Sequence, residues 1–262
     1  MNRDALGEVW SVTETEEIPS TNTALKELAR RGAPAGTVLI ARRQTAGRGR
    51  MGRSFFSPDG TGLYLSVLLR PDCPPGEALN VTVAAAVAAC KSGEQVCGNP
   101  LGIKWVNDLY RDGKKVCGIL TEGETDPKTG RLNFVICGVG FNVCPPENGF
   151  PEELSAIAGS LCDRFDPSLR ISLAEAFLKE FRQALTADSQ AVIDEYRNRS
   201  ILIGRSVFAP DGAFPGEATV LTVDGNGGLV LRFPDGTERT LTAGEVSVRL
   251  SPNKPEEPEV CL

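Results

Sequence analysis

The sequence predicts an α+β fold, a mixed β-sheet flanked by helices and followed by a small antiparallel C-terminal barrel. Three observations carry this. Apolar, β-favouring runs of strand length alternate with helical patterns up to about Ile203. Asp112-Gly113 offers hairpin chemistry between two of those runs, so the sheet is antiparallel or mixed. Beyond Gly204 the texture changes to short β-like pieces separated by Asp-Gly turns.

Each element follows from local pattern. Ala24, Leu25 and Leu28 recur at helical spacing within Thr21 to Arg31, with Ser20 or Thr21 as N-cap and Gly32 beyond the end. Thr37 to Ala41 and Gly62 to Leu69 read as strands. Glu77 to Cys90, rich in Ala and Val without turn residues, reads as a buried helix. Leu101 to Val106, Val116 to Glu122 and Leu132 to Val139 are further strands, with the Asp112-Gly113 turn joining the first two. Ser172 and Glu175 form a capping box ahead of Phe177, Leu178, Phe181 and Leu185, which share a helical face. Strands near Ala218 to Val223, Gly228 to Phe233, Thr237 to Thr242 and Val246 to Leu250 complete the barrel. This divides the chain into domains at 1–203 and 204–250. Residues 251–262, rich in Pro and Glu, read as a disordered tail.

Composition narrows the function. The 262 residues carry a net charge of −6, which gives no global attraction for DNA or an anionic membrane. The polar start lacks the pattern of a signal peptide, and no apolar run reaches the length of a membrane helix, so the cytoplasm is the expected compartment. The 8 cysteines form no C-x-x-C pair and the chain has no histidine, so the thiols read as reduced and structural, and no zinc site is expected. Against this acidic background Arg42, Arg43, Arg48, Arg50 and Arg53 crowd one short stretch, which expects a small anionic ligand.

Three segments carry chemistry. Gln44 to Arg53 alternates glycine with arginine between two strands, joining a pliable backbone to forked cationic donors that can wrap a phosphate. Lys104-Trp105-Val106-Asn107-Asp108 ends an apolar strand and is followed by Gly113 to Leu120. There Asn107 and Asp108 serve equally well as turn residues, and Lys114 as a solvated charge. Gly138-Val139-Gly140-Phe141-Asn142 allows close backbone approach but lacks the third glycine of a dinucleotide fingerprint.

In this order, with Ser20-Thr21-Asn22 ahead of them, the segments resemble the biotin protein ligase family across most of the larger domain. The family usually reads Lys-Trp-Pro-Asn-Asp where this chain has Val106, a departure that leaves the functional groups of Lys104, Asn107 and Asp108 intact. The resemblance implies a catalytic domain like the class II aminoacyl-tRNA synthetase core, an SH3-like C-terminal barrel, and the monofunctional type without a DNA-binding domain. It places biotin against Ser20, Thr21, Asn22, Gln44, Gly47, Arg48, Gly49, Arg50 and Lys115. It places the nucleotide against Arg50, Arg53, Phe55, Lys104, Asn107, Asp108 and Asn142. Lys115, Arg48, Arg50 and Asp108 are the implied catalytic groups. ATP and biotin are the implied substrates with Mg²⁺, and a biotin carboxyl carrier protein is the acceptor. A homodimer is left open, and no metal ligand is assigned.

Adenylation suits a chain without histidine. Biotin's carboxylic acid, with a pKa near ~4.3 like Glu, is already an anionic nucleophile at neutral pH. The obstacle is repulsion between two anions, which fixed cations relieve. In the transfer step only about one lysine amine in two thousand is neutral at pH 7, so a group must orient or deprotonate it, and Asp108 is the candidate. The alternatives are lipoate protein ligase, which uses the same logic on another acid, and a nucleic-acid-binding module using the arginine loop.

Overall fold

The computed structural model describes residues 5–7, 9–164, 166, 168–209, 216–243 and 247–248. In chain order the first elements are β1 (Ser11–Ile18), α1 (Thr21–Arg30), β2 (Thr37–Gln44), β3 (Gly62–Leu69), α2 (Ala78–Cys97), β4 (Gly102–Lys104), β5 (Asp108–Arg111), β6 (Lys114–Thr125) and β7 (Leu132–Asn142). The helices α3 (Glu152–Ser155), α4 (Ser168–Thr186) and α5 (Ser189–Arg199) follow. The strands β8 (Ser206–Ala209), β9 (Gly216–Val223), β10 (Leu229–Arg232), β11 (Glu238–Leu241) and β12 (Ser247–Val248) close the order.

The first seven strands form one mixed sheet in the order β1-β2-β3-β7-β6-β5-β4, parallel between β1 and β2 and antiparallel elsewhere. Its two faces are covered unequally. On one, α2 is buried along most of its length beneath α4 and α5, and the side chains of Leu63, Leu65, Val67 and Leu69 join that core. On the other, α1 packs Leu25 and Ala29 against Leu68, Phe134 and Ile136 and covers only one end of the sheet. Past the N-terminus of α1 the face is bare, and β6 and β7 present Gly118, Gly138 and Gly140 there.

The remaining strands pair antiparallel in the order β11-β10-β9-β8-β12, and their inward residues, among them Val207, Val220 and Leu231, belong to the same apolar cluster as the larger sheet. A turn of this second sheet seats on the first body. The Trp105 indole N–H donates to the Gly227 carbonyl at 2.9 Å, and a Cβ on Gly227 would lie 2.9 Å from Val83. Among the described residues no helix is long and apolar enough to cross a membrane.

Several expectations need correction. The Asp112-Gly113 turn, with both residues at positive φ (51° and 77°), joins β5 to β6 and not the Leu101 run to β6, because the short strand β5 intervenes. Ser172 is no N-cap, since α4 begins at Ser168, whose N–H donates to the Asp166 carboxylate at 2.9 Å. The buried helix runs on to Cys97 and stops at Gly98 (φ 74°). That extension brings Cys97 to Cys162, and the two form a disulfide, contrary to the reading of all thiols as reduced. Cys73, Cys90, Cys117, Cys137 and Cys144 are free. β1, α5 and β8 are additions. β1 is an edge strand whose Glu14, Glu16 and Glu17 pair with Arg170, Arg42 and Arg43, so it shows no apolar alternation. The tail at 251–262 and most of the Val246 to Leu250 run lie outside the described residues.

Candidate active site

The bare end of the sheet is the floor of a cavity of about 580 Å³, within the range of small-molecule sites. Its position follows from glycine. A Cβ at Gly138 would stand 2.0 Å from Asn22 Oδ1, and one at Gly140 would stand 2.6 Å from the Phe55 ring, so any larger residue would force these side chains to move.

One wall is a neutral polar cluster. Five buried serine, threonine and asparagine side chains gather here, namely Ser20, Thr21, Asn22, Ser57 and Ser66. Buried polar groups require partners, and these have them. Gln44 Oε1 accepts from Thr21 N–H (2.9 Å) and from the Thr21 hydroxyl (3.1 Å), while its Nε2 donates to Ser57 Oγ (3.0 Å). With the Thr21 proton so engaged, the Ser66 hydroxyl shares its own between Thr21 Oγ1 (2.8 Å) and Asn22 Oδ1 (2.6 Å). Asn22 Nδ2 donates to the Leu120 carbonyl (3.1 Å) and to Glu122 Oε2 (3.0 Å). Ser20 caps α1, its Oγ accepting from Thr23 N–H at 3.4 Å. The result is a rigid array of short amide and hydroxyl groups.

The opposite wall is cationic. The Gln44 to Arg53 loop folds back over the cavity as a tight hairpin, with Gly49 N–H donating to the Arg53 carbonyl (2.7 Å) and Phe55 N–H to the Gly47 carbonyl (2.9 Å). Arg48 Nη1 donates to Glu122 Oε2 at 2.9 Å, and Arg50 Nη1 to Asn107 Oδ1 at 3.1 Å. Asn107 is itself fixed by donating Nδ2 to the Ile119 carbonyl (2.8 Å). Lys115 Nζ meets Asp108 Oδ2 at 2.8 Å, and Asp108 Oδ1 is buried with no hydrogen-bond partner. Asn142 Nδ2 donates to the Gly159 carbonyl (3.0 Å), and Lys115 pairs through its backbone with Ile157 and Gly159, so the 157–159 segment closes this side. Burial, with Asp108 adding to it, pushes the Tyr110 phenol up, and its hydroxyl is buried without a partner.

Residues 14–142 match the family described as Biotin/lipoate A/B protein ligase. The bifunctional ligase/repressor BirA of Bacillus subtilis is 37% identical over 235 residues, covering 86% of this chain and 70% of that protein. The chain belongs to the biotin/lipoate A/B protein ligase family. The biotin--[acetyl-CoA-carboxylase] ligase of Paracoccus denitrificans is similar too, 30% identical over 87% of this chain and 96% of its own. Among solved structures, the biotin protein ligase from Aquifex aeolicus in complex with biotin and ATP aligns with a TM-score of 0.73 at 25% identity, over 92% of this chain and 99% of that one.

In this member of the family the cavity wall includes Ser20, Thr21, Asn22, Gln44, Arg48, Gly49, Arg50, Arg53, Phe55, Asn107, Asp108, Lys115 and Asn142. Two of the expected residues stand apart. Gly47 does not line the cavity, for a Cβ there would meet the Phe55 carbonyl at 2.4 Å, and its role is to let the loop close on itself. Lys104 is not on the wall either; its Nζ lies 5.9 Å from the Tyr110 ring centroid. At Val106 the Trp105–Val106 peptide is cis, and Tyr196 Oη donates to the Val106 carbonyl at 3.1 Å. Sequence reading passed over Ser57, Ser66, Glu122 and the Phe150 to Ala158 stretch. Of these only Glu122 left a signal, because strand alternation places it on the face of Gly118 and Leu120.

Proposed function

We propose that this chain is a biotin protein ligase, which joins biotin and ATP to give biotinyl-5'-AMP and pyrophosphate and then transfers biotin to a lysine of a carboxyl carrier protein. The observation that carries the reading is the pairing, across one cavity, of a rigid neutral array with a cluster of cations. The array of Ser20, Thr21, Asn22 and Gln44 offers donors and acceptors to a urea-like ring. Arg48, Arg50 and Lys115 offer positive charge to a carboxylate and a phosphate. The similarity to biotin ligases of 30 to 37% identity supports the same reading.

In the first step a biotin carboxylate oxygen attacks the α-phosphorus of ATP, the new O–P bond forms and pyrophosphate leaves. Lys115, Arg48 and Arg50 lower the repulsion between the two anions as they approach and hold them in line. Asn107, Asp108 and Asn142 form the nucleotide side. Mg²⁺ would be held by the phosphates of ATP and would add positive charge beside Lys115, Arg48 and Arg50. In the second step the acceptor amine attacks the carbonyl carbon of the mixed anhydride and AMP leaves with the electron pair. The proton lost by the amine goes to the Asp108 carboxylate, which stands on the cavity wall.

The five-stranded sheet is read as the SH3-like barrel, with 1–203 as the catalytic domain, 204–250 as the barrel that assists it, and the cytoplasm as the compartment. Incubating a carrier domain with biotin, ATP and this protein and weighing the product tests the reaction. A gain of one biotin is expected. Pyrophosphate exchange that depends on lipoate and not on biotin would overturn the substrate.

A further inference from the structure

Glu122 belongs to none of the sequence motifs, yet it has two partners in the site. A single carboxylate oxygen, Oε2, accepts from Asn22 Nδ2 at 3.0 Å and from Arg48 Nη1 at 2.9 Å. The two donors differ in freedom. Asn22 sits on α1 and is held by Ser66 and the Leu120 carbonyl as well. Arg48 sits between Gly47 and Gly49 near the tip of the loop, where Gly49 N–H bonds to the Arg53 carbonyl and Arg53 N–H to the Arg50 carbonyl, while Thr45 and Ala46 at its base bond to Ile18 and Pro19. The Glu122 side chain is 17% exposed and that of Arg48 is 45% exposed, so the pair is wet on the arginine's side. A pair of this kind acts locally, on the loop it holds, more than on the whole fold. What it does is select one loop position, the one in which Arg48 lies over the cavity.

We propose that Glu122 is the positioning residue of the Gly-Arg loop, tethering Arg48 to the Asn22 wall before an anionic ligand enters. Only Nη1 of Arg48 is spent on Glu122, and the guanidinium has further N–H donors, so an arriving carboxylate binds an arginine already held in place while the tether stays intact. Because both bonds end on one oxygen, the tether couples the neutral wall to the cationic one. The kinetic consequence rests on the ligase reading, whereas the tether itself does not.

Limited trypsin digestion of the ligand-free protein reads the tether directly. In Glu122→Ala, cleavage after Arg48, Arg50 and Arg53 should quicken by about tenfold, as expected for loss of an ion-assisted hydrogen bond. Glu122→Gln keeps an accepting oxygen at the same reach and should fall between the two. In pyrophosphate exchange the KM for biotin should rise about tenfold in Glu122→Ala while kcat stays within about threefold. A merely structural Glu122 would lower Tm without selectively quickening these cuts, and loop cleavage unchanged from wild type would overturn the proposal. Should Glu122→Ala fail to fold, Arg48→Gln replaces it. In that background Glu122→Gln should leave cleavage after Arg50 and Arg53 unaltered, and an added effect would overturn the tether. Wild-type protein without biotin-dependent exchange would sink the ligase reading and leave the digestion to decide the tether.

Discussion

Lys115 Nζ and Asp108 Oδ2 meet at 2.8 Å between the neighbouring strands β6 and β5, with side chains only 26% and 13% exposed. The lysine therefore has a fixed position and is partly withdrawn from water, two conditions under which a cation stabilises a transition state more than it would in solution.

Lys115→Gln should lower biotin-dependent pyrophosphate exchange by about 10² to 10³, the loss typical of one preorganised donor, with biotin affinity changed only a few-fold. Lys114→Gln is the control, because Lys114 is exposed and its Nζ donates to the Ser155 carbonyl away from the wall. Near-wild-type exchange in Lys115→Gln would remove Lys115 from the catalytic groups.

Gly138→Ala tests the neutral wall. The new Cβ would lie 2.0 Å from Asn22 Oδ1, so Asn22 must move and lose its bond with Ser66. Biotin affinity measured by calorimetry should fall by about tenfold or more, since one misplaced hydrogen-bonding group costs about 1 to 3 kcal/mol. Unchanged affinity would show that Asn22 makes no contact with the ligand.

Biotin with ATP should slow tryptic cleavage after Arg48, Arg50 and Arg53. Ordering even part of this loop costs about 1 to 2 kcal/mol per residue, which ligand contacts must offset. Equal cutting with and without both substrates would exclude closure over the adenylate.

Alkali should destabilise the fold. Burial pushes the Cys90 and Cys137 thiols from 9.0 up to about 12. A folded-state value above the unfolded one gives stability that is complete below the unfolded pKa and is lost as pH rises through the folded one. Each thiol should thus contribute a slope of about 1.4 kcal/mol per pH unit above about pH 9 in urea titrations. Cys137→Ala should flatten that slope, and an unchanged slope would assign the loss to other groups.

Ending the chain at Ile203 should lower both Tm and biotin transfer. Val207, Val220, Leu229 and Leu231 share the apolar cluster of the larger sheet, and Trp105, two residues before Asn107, loses its partner at Gly227. Trp105→Phe should itself cost about 1 to 3 kcal/mol by leaving the Gly227 carbonyl without its donor. A truncated protein with full transfer activity would refute an assisting role for the second sheet.

What could be read from sequence was what local pattern controls. Gly62 to Leu69 is a strand in which both faces are buried, and its apolar run, interrupted only by Ser66, announced it. β1 carried no such signal, since Glu14, Glu16 and Glu17 are satisfied by arginines that are 156, 26 and 26 residues away. Most of the expected site residues do share one cavity, because each motif sits where a strand or helix ends beside the glycine floor. Gly47 and Lys104 stand apart because a motif fixes spacing along the chain and not the direction of a side chain. Ser57, Ser66 and Cys162 were invisible for a related reason. Each acts through a partner that only the tertiary fold brings near, as Cys162 does on Cys97 across 65 residues.

The clasp at the start of the chain bears on the order of assembly. Trp10 donates its indole N–H to the Leu178 carbonyl 168 residues away, and the Arg182 guanidinium lies 4.1 Å from the Trp10 ring centroid while donating to the Gly7 carbonyl. At about 5 to 20 residues per second, the ribosome delivers α4 roughly 10 to 35 s after this segment has emerged. During that interval β1 has only the β2 edge to hold it. β1 is thus the last strand of the seven-stranded sheet to be secured, and its place at the rim lets the other six close without waiting for it.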